Sequence, residues 1–357
     1  MGKIRLKTDA STCVRHWRNS REKALGRSIM QAVVHEGAKG TDGLRIIETT
    51  EPMPGPGEVR VGLRAAGLNH RDLFLMDGRS GEEPAFIPGS DGAGVVTAVG
   101  DGVSGGRIGD EVVINPTLGW ERSTHTPTVP DILGGPTNGT LAEAVVVPAV
   151  NAVPKPAHLS WPEAAALPLA ALTAYRAVFT RGELSAGEHL LVPGIGGGVA
   201  GWALLLGKAA GARVTVTSRS AEKRARSLRM GADQALSSAG DWADELGQAS
   251  VDLAVDGVGP AVFGQFPKVL RPGGRVVLYG ATTGDELQMP LRTLFFHQYT
   301  LLGTSMGSAE EFRDLLAFVA EHRIRPVVDR VYALEEIRAA YGQMEAGRQF
   351  GNVVIEP

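Results

Sequence analysis

Apolar and polar residues alternate in short runs through the first part of the chain. Residues 59–65 place Val59, Val61 and Leu63 on one face and charged or small residues on the other, as in a half-buried strand. Similar apolar runs, separated by Gly and Asp turns, follow at residues 93–99, 111–114 and 142–147. Residues 30–156 therefore predict a small β-barrel. Residues 118–138, rich in Pro, Thr and Gly, predict a long loop that borders a site.

After Ser160 the pattern changes to alternating strands and helices. Runs typical of strands occur at residues 190–193, 213–217, 251–256, 275–279 and 300–302. Helical patterns lie between most of them, for example at residues 221–230 and 261–270. This alternation predicts a doubly wound parallel sheet and an α/β fold class. Ser308 and Glu311 then have capping-box spacing, which predicts a further helix that leads back to the first domain.

Composition and charge narrow the function classes. A chain of 357 residues with 43% apolar residues is long enough to bury the cores of about two domains. No run approaches the roughly 20 consecutive apolar residues of a membrane span, so no membrane role is expected. Residues 1–29 hold eight Lys/Arg against two acids, which leaves 28 basic and 37 acidic residues, a net charge of −9, for the remainder. That balance disfavours a nucleic-acid partner.

The N-terminal segment, residues 1–29, lacks the apolar core of a secretory signal. We interpret it as a disordered tail or the product of an upstream start codon, with an organelle address as the alternative. It contains Cys13, the only cysteine of the chain, so neither an intramolecular disulfide nor a cysteine-based metal site is available. The expected location is a reducing compartment, the cytoplasm.

A glycine-rich turn is the strongest motif. The apolar run at residues 190–193 enters a series of glycines, and an Ala/Leu-rich helical pattern follows to about residue 212. Glycines let the backbone approach a pyrophosphate, and the helix N-terminus offers free N–H groups and its positive dipole end to that anion. A strand before and a helix after the turn are the context that this motif requires. The predicted cofactor-binding residues here are Gly194, Gly196, Gly197, Gly198 and Val199.

The end of the next predicted strand indicates which dinucleotide binds. Ser218 stands where an NAD-specific site usually has an acidic residue for the ribose 2′-hydroxyl. A short hydroxyl leaves room for a 2′-phosphate, and Arg219 and Lys223 offer it charge-assisted hydrogen bonds. The alternative is that these two cations belong only to a solvated helix start. We predict NADP(H) as the cofactor.

Several motifs together resemble a known family. They are GLNHRD at residues 67–72, PGSDGAGVV at 88–96, GDEV at 109–112, NGTLAE at 138–143, LTAY at 172–175, the glycine turn and LRPGG at 270–274. In order and spacing, residues 30–357 resemble the medium-chain dehydrogenases/reductases, and within them the quinone oxidoreductase-like members without zinc. The resemblance implies a GroES-like β-barrel catalytic domain over residues 30–160 and 305–357, with a Rossmann domain inserted over 161–304. It also implies a homodimer or homotetramer.

Departures from the zinc-dependent branch of this family bear on the chemistry. That branch has a cysteine ligand where Asn69 stands, a His-Glu pair where Ser90 and Asp91 stand, and another cysteine close to Leu169. Catalytic zinc needs about three protein ligands, so no metal is expected. Without a Lewis acid, simple alcohol oxidation is disfavoured. The resemblance implies hydride transfer from NADPH to an acceptor that is already electrophilic, a small-molecule quinone or an α,β-unsaturated carbonyl.

Catalytic candidates follow from the same resemblance. Asn69 is predicted to donate a hydrogen bond to the substrate oxygen or the nicotinamide ribose, with a simple turn residue as the alternative. Asp72 is predicted to hold the local loop, with a proton relay as the less favoured role. Thr173 lies at the domain junction, where it could touch the cofactor.

Further cofactor-binding candidates lie after later strands, where open α/β sheets bind ligands. The resemblance implies that the Gly280-Ala281 and Gly303-Thr304 turns line the nicotinamide side and that residues 350–352 approach the cofactor. The candidates are Gly257, Tyr279, Gly280, Ala281, Gly303, Thr304, Phe350 and Asn352. An enal or enoyl reductase and a catalytically weak NADPH-binding sensor remain open, because a fold by itself does not fix activity.

Overall fold

A computed structural model describes residues 28–135 and 137–357. The interpretation of the leader and of Cys13 concerns residues that lie almost wholly outside this described part. The first domain contains the strands and helix β1 (Ile29–His35), β2 (Leu44–Thr50), β3 (Glu58–Gly67), α1 (His70–Asp77), β4 (Asp91–Val99), β5 (Glu111–Ile114), β6 (Thr117–Leu118), β7 (Asp131–Ile132), β8 (Ala144–Pro148) and β9 (Ala152–Pro154). Short 3₁₀ turns lie at Gly40–Gly43 and Ala149–Asn151.

Two short helices, α2 (Trp161–Ala165) and α3 (Pro168–Tyr175), lead into a π-helical turn (Arg176–Arg181) and the second domain. That domain consists of β10 (His189–Val192), α4 (Gly198–Ala209), β11 (Arg213–Ser218), α5 (Ala221–Arg229), β12 (Gln234–Ser237), α6 (Trp242–Leu246), β13 (Val251–Asp256), α7 (Pro260–Phe263), α8 (Phe266–Val269), β14 (Leu270–Leu278), α9 (Leu291–Phe296) and β15 (Thr300–Gly303).

The second domain is a doubly wound sheet. Within the described residues its strands form a six-stranded sheet in the order β12-β11-β10-β13-β14-β15, and every neighbouring pair is parallel. In chain order this is the 3-2-1-4-5-6 arrangement of dinucleotide-binding folds. The order reverses between β10 and β13, and the glycine turn follows β10. The predicted sheet is confirmed.

The last part of the chain returns to the first domain. It contains α10 (Ala309–Glu321), β16 (Val328–Ala333), a 3₁₀ turn (Leu334–Glu336), α11 (Ile337–Glu345) and β17 (Asn352–Glu356). Strand β17 pairs with β3, so the described part of the barrel sheet has the order β16-β17-β3-β4-β5-β9, with β8 also on β3. The predicted GroES-like barrel with an inserted Rossmann domain is confirmed.

Small residues bring the elements close together. A Cβ added to Gly207 of α4 would lie 2.7 Å from Leu190 of β10, so the helix packs directly against the central strand. Trp202 of α4 is buried, and its indole N–H donates to the Ala166 carbonyl at 3.1 Å. Alanines of α2 and α3 belong to the same large core cluster. This packing joins the two domains through α3 and α4.

One predicted helix is wrong. Residues 261–270 form two short helices, α7 and α8, followed directly by β14. Pro267 lacks a backbone N–H, and its ring would clash with the carbonyl of Phe263 if one helix continued through it. In the described residues, no helix is both long and apolar enough to cross a membrane.

Candidate active site

The glycine turn between β10 and α4 has the backbone geometry that only glycine adopts readily. Gly194 has φ +71° and Gly196 has φ +141°. Helix α4 begins at Gly198, where an added Cβ would lie 2.9 Å from the Asn352 amide nitrogen. The backbone N–H of Gly351 donates to the Gly196 carbonyl at 3.1 Å. The C-terminal segment with Phe350 and Asn352 therefore lies against the turn, which presents a helix N-terminus suited to a pyrophosphate.

Basic residues surround the end of β11. The Lys223 ammonium donates to the Gly347 carbonyl at 2.8 Å, and its side chain passes 2.8 Å from the position of a Cβ on Gly196. Burial lowers the pKa of Lys223. Ser218 is buried, whereas Arg219 is exposed. Arg224, which the sequence reasoning missed, donates to the Ser218 carbonyl at 2.7 Å, so three cations lie at this strand end.

The ends of β13 and β14 meet beside the glycine turn. The Tyr279 ring lies where a Cβ of Gly257 would be, so that glycine is needed for the contact. The Asp256 carboxylate accepts from the backbone N–H groups of Val258 and Gly259 at 2.8 and 3.0 Å. Burial raises the pKa of Asp256 to about 6 and also raises that of Tyr279, which the Asp256 charge reinforces.

Two further turns complete this edge of the sheet. Gly280, Ala281 and Gly303 are exposed. Thr304 is half-buried, and its backbone N–H donates to the Leu278 carbonyl at 2.9 Å. Among the described residues its hydroxyl has no hydrogen-bond partner, although the oxygen is buried. A buried hydroxyl in this state is suited to meet a ligand at the carboxyl edge of the sheet.

Asn69 is the N-cap of α1, and Asp72 fixes its backbone. One Asp72 carboxylate oxygen accepts from the Asn69 backbone N–H at 2.9 Å and from the Tyr341 hydroxyl at 3.2 Å. Burial raises the pKa of Asp72 to about 6. The Asn69 side chain is 7% exposed, and its amide nitrogen has no hydrogen-bond partner in the described part of the chain. Asp72 thus holds the turn, and the buried Asn69 amide lies next to the Asp91 carboxyl group.

Asp91 is not among the predicted catalytic residues, but it lies beside both Asn69 and Leu169. One of its oxygens accepts from the Leu169 backbone N–H at 2.9 Å; the other has no hydrogen-bond partner within residues 28–135 and 137–357. Burial raises the pKa of Asp91 to about 8, and the Asp72 charge adds to the rise. The neighbouring Asn69 side chain, the Leu169 N–H and Arg71 act in the opposite direction.

The positions that hold zinc in the related branch come together here, but their chemistry does not suit zinc. Leu169 supplies no side-chain donor atom, and Asn69 supplies only a neutral amide. The Arg71 guanidinium lies 3.3 Å from the Ser90 hydroxyl and donates to the Gly135 carbonyl at 2.8 Å, which places a positive charge beside the site. No group of three or more His, Cys, Asp or Glu side chains within the described residues could hold a metal ion.

Thr173 lies one helical turn after Leu169 in α3. It is 6% exposed, and its hydroxyl donates to the Leu169 carbonyl at 2.8 Å and lies 3.9 Å from the Met306 sulfur. The structure therefore connects Thr173 to Asp91 through Leu169. The hydroxyl is already engaged, so its geometry favours a positioning role in the site.

The fold and this site define a two-domain oxidoreductase with a GroES-like domain and a dinucleotide-binding domain. Residues 55–157 match the family described as alcohol dehydrogenase GroES-like domain, and residues 198–321 match the family described as zinc-binding dehydrogenase. The chain belongs to the medium-chain dehydrogenase/reductase superfamily.

Relatives from this superfamily cover nearly the whole chain. The zinc-type alcohol dehydrogenase-like protein YogA of Leptosphaeria maculans is 34% identical over 88% of this chain and 94% of its own. A solved NAD-dependent alcohol dehydrogenase is 38% identical, with a TM-score of 0.85, over 92% of this chain and 100% of its own. A crotonyl-CoA carboxylase/reductase, AntE, solved in complex with NADP, is 25% identical, with a TM-score of 0.82, over 92% and 94%. Both an alcohol dehydrogenase and a crotonyl-CoA carboxylase/reductase are thus among the proteins that this chain is similar to.

Proposed function

We propose that this protein transfers hydride from NADPH to a quinone or an α,β-unsaturated carbonyl without zinc. The observation that carries the proposal is the combination of Asn69, Ser90 and Leu169 at the metal-ligand positions, with the Arg71 guanidinium beside them. A divalent cation would meet an aliphatic side chain, a hydroxyl, a neutral amide and a single carboxyl group, with a positive charge beside them. Because such a site offers no Lewis acid, the acceptor must be electrophilic before it binds.

The residues that would hold the dinucleotide lie along one edge of the parallel sheet. The glycine turn and the N-terminus of α4 suit the pyrophosphate, with the Asn352 amide beside them. Ser218 leaves room for a 2′-phosphate, and Arg219, Lys223 and Arg224 lie at the same strand end to neutralise it. The turns at 280–281 and 303–304 suit the nicotinamide end, where bound NADPH supplies the hydride.

At the reacting end, the residues of the chain orient the acceptor and stabilise charge. The Asn69 amide has two N–H donors, and one of them is suited to donate to the acceptor oxygen, where negative charge gathers during reduction, while the other faces Asp91. The Asp72 carboxylate fixes the position of Asn69 by accepting a hydrogen bond from the Asn69 backbone N–H. Asp91, with its pKa raised to about 8, keeps a proton at neutral pH, so the pocket does not add a full negative charge next to the developing oxyanion.

The likeness to crotonyl-CoA reductases favours the enoyl side of this proposal. The enzyme of Cereibacter sphaeroides is 29% identical over 84% of this chain. Reduction of an activated carbon–carbon double bond needs only orientation of the β-carbon and hydrogen bonds to the carbonyl oxygen. The likeness therefore supports an enal or enoyl acceptor, the alternative to a quinone within this proposal.

The test is a screen of quinones, 2-alkenals and simple alcohols with the purified protein. We expect NADPH to be oxidised in the presence of a quinone or an alkenal. We expect no reduction of NADP⁺ by simple alcohols. Turnover of a primary alcohol with NAD would contradict the proposal and would favour an NAD-dependent alcohol dehydrogenase activity instead. Tight NADPH binding without turnover on any acceptor would instead support a sensor.

A further inference from the structure

Three buried apolar side chains from separate segments meet beside the candidate active site. Trp120 of the long loop is 4% exposed, Leu169 of α3 is 9% exposed, and Met306 after β15 is 4% exposed. They form one cluster, against which Ile132 packs. We name Trp120, Leu169 and Met306 the apolar wall.

The apolar wall borders the polar end of the site directly. The Leu169 backbone N–H donates to Asp91, which lies next to Asn69. The Thr173 hydroxyl contacts two of the three residues of the wall: it donates to the Leu169 carbonyl and lies 3.9 Å from the Met306 sulfur. A molecule whose oxygen meets Asn69 would therefore extend its remainder along an apolar surface.

A buried ion pair fixes Trp120 in this place. The Arg176 guanidinium lies 4.7 Å from the centre of the Trp120 ring. Its Nη1 is 2.8 Å from both carboxylate oxygens of Glu311, and the two side chains are only 5% and 3% exposed. The backbone N–H of Ala309 donates to the Trp120 carbonyl at 2.8 Å. Trp120 is thus held by the π-helical turn and by α10 together.

Backbone strain marks the third member of the wall. Met306 has φ +56°, a conformation that a residue with a side chain rarely adopts. Strain of this kind persists where the surroundings determine it, and it concentrates at ligand sites. The long, adaptable thioether side chain is suited to fit apolar groups of different shape.

We propose that the apolar wall selects acceptors that carry an apolar tail next to their carbonyl group. Trp120 is the specificity-determining residue, and Arg176 is a positioning residue that acts through the Trp120 ring. The inference rests on the proposed function for the identity of the reaction, but it concerns binding and has its own readout.

The test measures binding of 2-alkanones of four to eight carbon atoms to the full-length protein with NADP⁺ bound. These ketones present a carbonyl oxygen and an apolar tail, and they cannot accept hydride from the oxidised cofactor. We expect Kd of the unaltered protein to fall about two- to fourfold with each added methylene, the range expected for partial to full burial. In Trp120→Ala, the gain in binding free energy per added methylene should drop to less than half.

Trp161→Ala is the matched control, because Lys155 lies 5.0 Å over the Trp161 ring at the start of α2. This variant also removes an indole that has a cation above it, and the gain in binding free energy per methylene should stay unchanged. Arg176→Lys keeps a charge for Glu311 but not the planar face over Trp120, so its gain should be intermediate. A purely structural role of Arg176 would lower the melting temperature and leave the gain unchanged.

The outcomes separate the two proposals. If Kd does not depend on chain length, or if Trp120→Ala keeps the full gain, the apolar wall does not select the acceptor. If the gain depends on Trp120 while no quinone or alkenal is reduced, the wall stands and the proposed reductase activity fails. Reduction without any effect of Trp120→Ala on selectivity overturns only the wall.

Discussion

Asn69 shows how much chemistry can depend on one amide. A buried donor without a partner costs free energy unless a ligand satisfies it. We expect Asn69→Ala to lower turnover on a quinone or alkenal about 10- to 1,000-fold, as loss of one oxyanion donor does, with little change in NADPH affinity. Steady-state kinetics and cofactor titration test this. A parallel fall in rate and NADPH affinity would mean that Asn69 holds the cofactor instead.

The residues at the end of β11 decide cofactor preference. Because one charge-assisted contact contributes about 1.5–3 kcal/mol, we expect NADPH to bind at least about tenfold more tightly than NADH. Arg219→Glu should reverse this preference, since a carboxylate repels the 2′-phosphate and accepts from a 2′-hydroxyl. Arg229→Glu, at the exposed far end of α5, is the control and should change little. Equal affinities for both cofactors would contradict the assignment.

Asp91 predicts a pH dependence of stability. Its pKa is raised from 3.8 to about 8, so the folded protein keeps a proton that the unfolded chain releases between these values. The contribution of Asp91 to the free energy of unfolding is fully present below about pH 4, and it is lost as the pH rises through about 8. Asp91→Asn keeps a neutral side chain, so its melting temperature should fall less between about pH 7 and 9.

Asp256→Asn is the control for that window, because the pKa of Asp256 is raised only to about 6. Deprotonation of Asp256 should be complete near neutral pH. Above about pH 7, the melting temperature of Asp256→Asn should therefore change with pH as steeply as that of the unaltered protein. If Asp91→Asn and the unaltered protein have parallel profiles between about pH 7 and 9, Asp91 is not protonated in the folded state.

At the scale of elements, the Arg176–Glu311 pair joins the π-helical turn after α3, helix α10 and the long loop. Loss of one partner of a buried pair leaves the other charge uncompensated, which costs about 3–5 kcal/mol. Glu311 also accepts from the Thr180 hydroxyl at 2.6 Å and caps α10 with Ser308, so Glu311→Ala removes several contacts. We expect a loss of unfolding free energy in that range by urea denaturation. Glu310→Ala removes an exposed neighbour and should have little effect.

The apolar periodicity predicts the bounds of strands better than the positions at which helices are interrupted. Residues 251–256 and 111–114 form strands with the predicted bounds, because most of their side chains are apolar and buried. The helix predicted at 261–270 is divided, because Pro267 stops it locally. Strand β12 was missed, since its short run is only partly buried and carries little apolar signal.

At the scale of the whole molecule, one short segment connects both domains at the cofactor site. Strand β17 pairs with β3 of the barrel, while Gly351, just before it, donates to the glycine turn of the Rossmann domain. A Cβ on Gly351 would meet the Val327 carbonyl oxygen and would lie 2.9 Å from the Val327 Cβ, so the segment has little space to shift. Cofactor and acceptor are therefore expected to bind between two domains that are already held together.

Metal content is a property of the whole protein and tests the absence of zinc. We expect the purified protein to contain no stoichiometric zinc and its activity to survive a chelator, because the donor set around Asp91 is unsuited to zinc. Elemental analysis measures this directly. One tightly held zinc per chain would show that another ligand set exists.

The sequence by itself determined the alternation of strands and helices, the glycine turn, the placement of Ser218 at a strand end, and Asn69 and Asp72 as candidates. These features depend on local periodicity, on backbone freedom at glycine and on motif spacing, all of which are written along the chain. Only the tertiary structure brought Asp91, Leu169, Trp120, Arg176 and Met306 into one site. Their meeting depends on contacts between segments far apart in sequence, and burial, which raises the pKa of Asp91 and closes the Arg176–Glu311 pair, exists only once those segments pack.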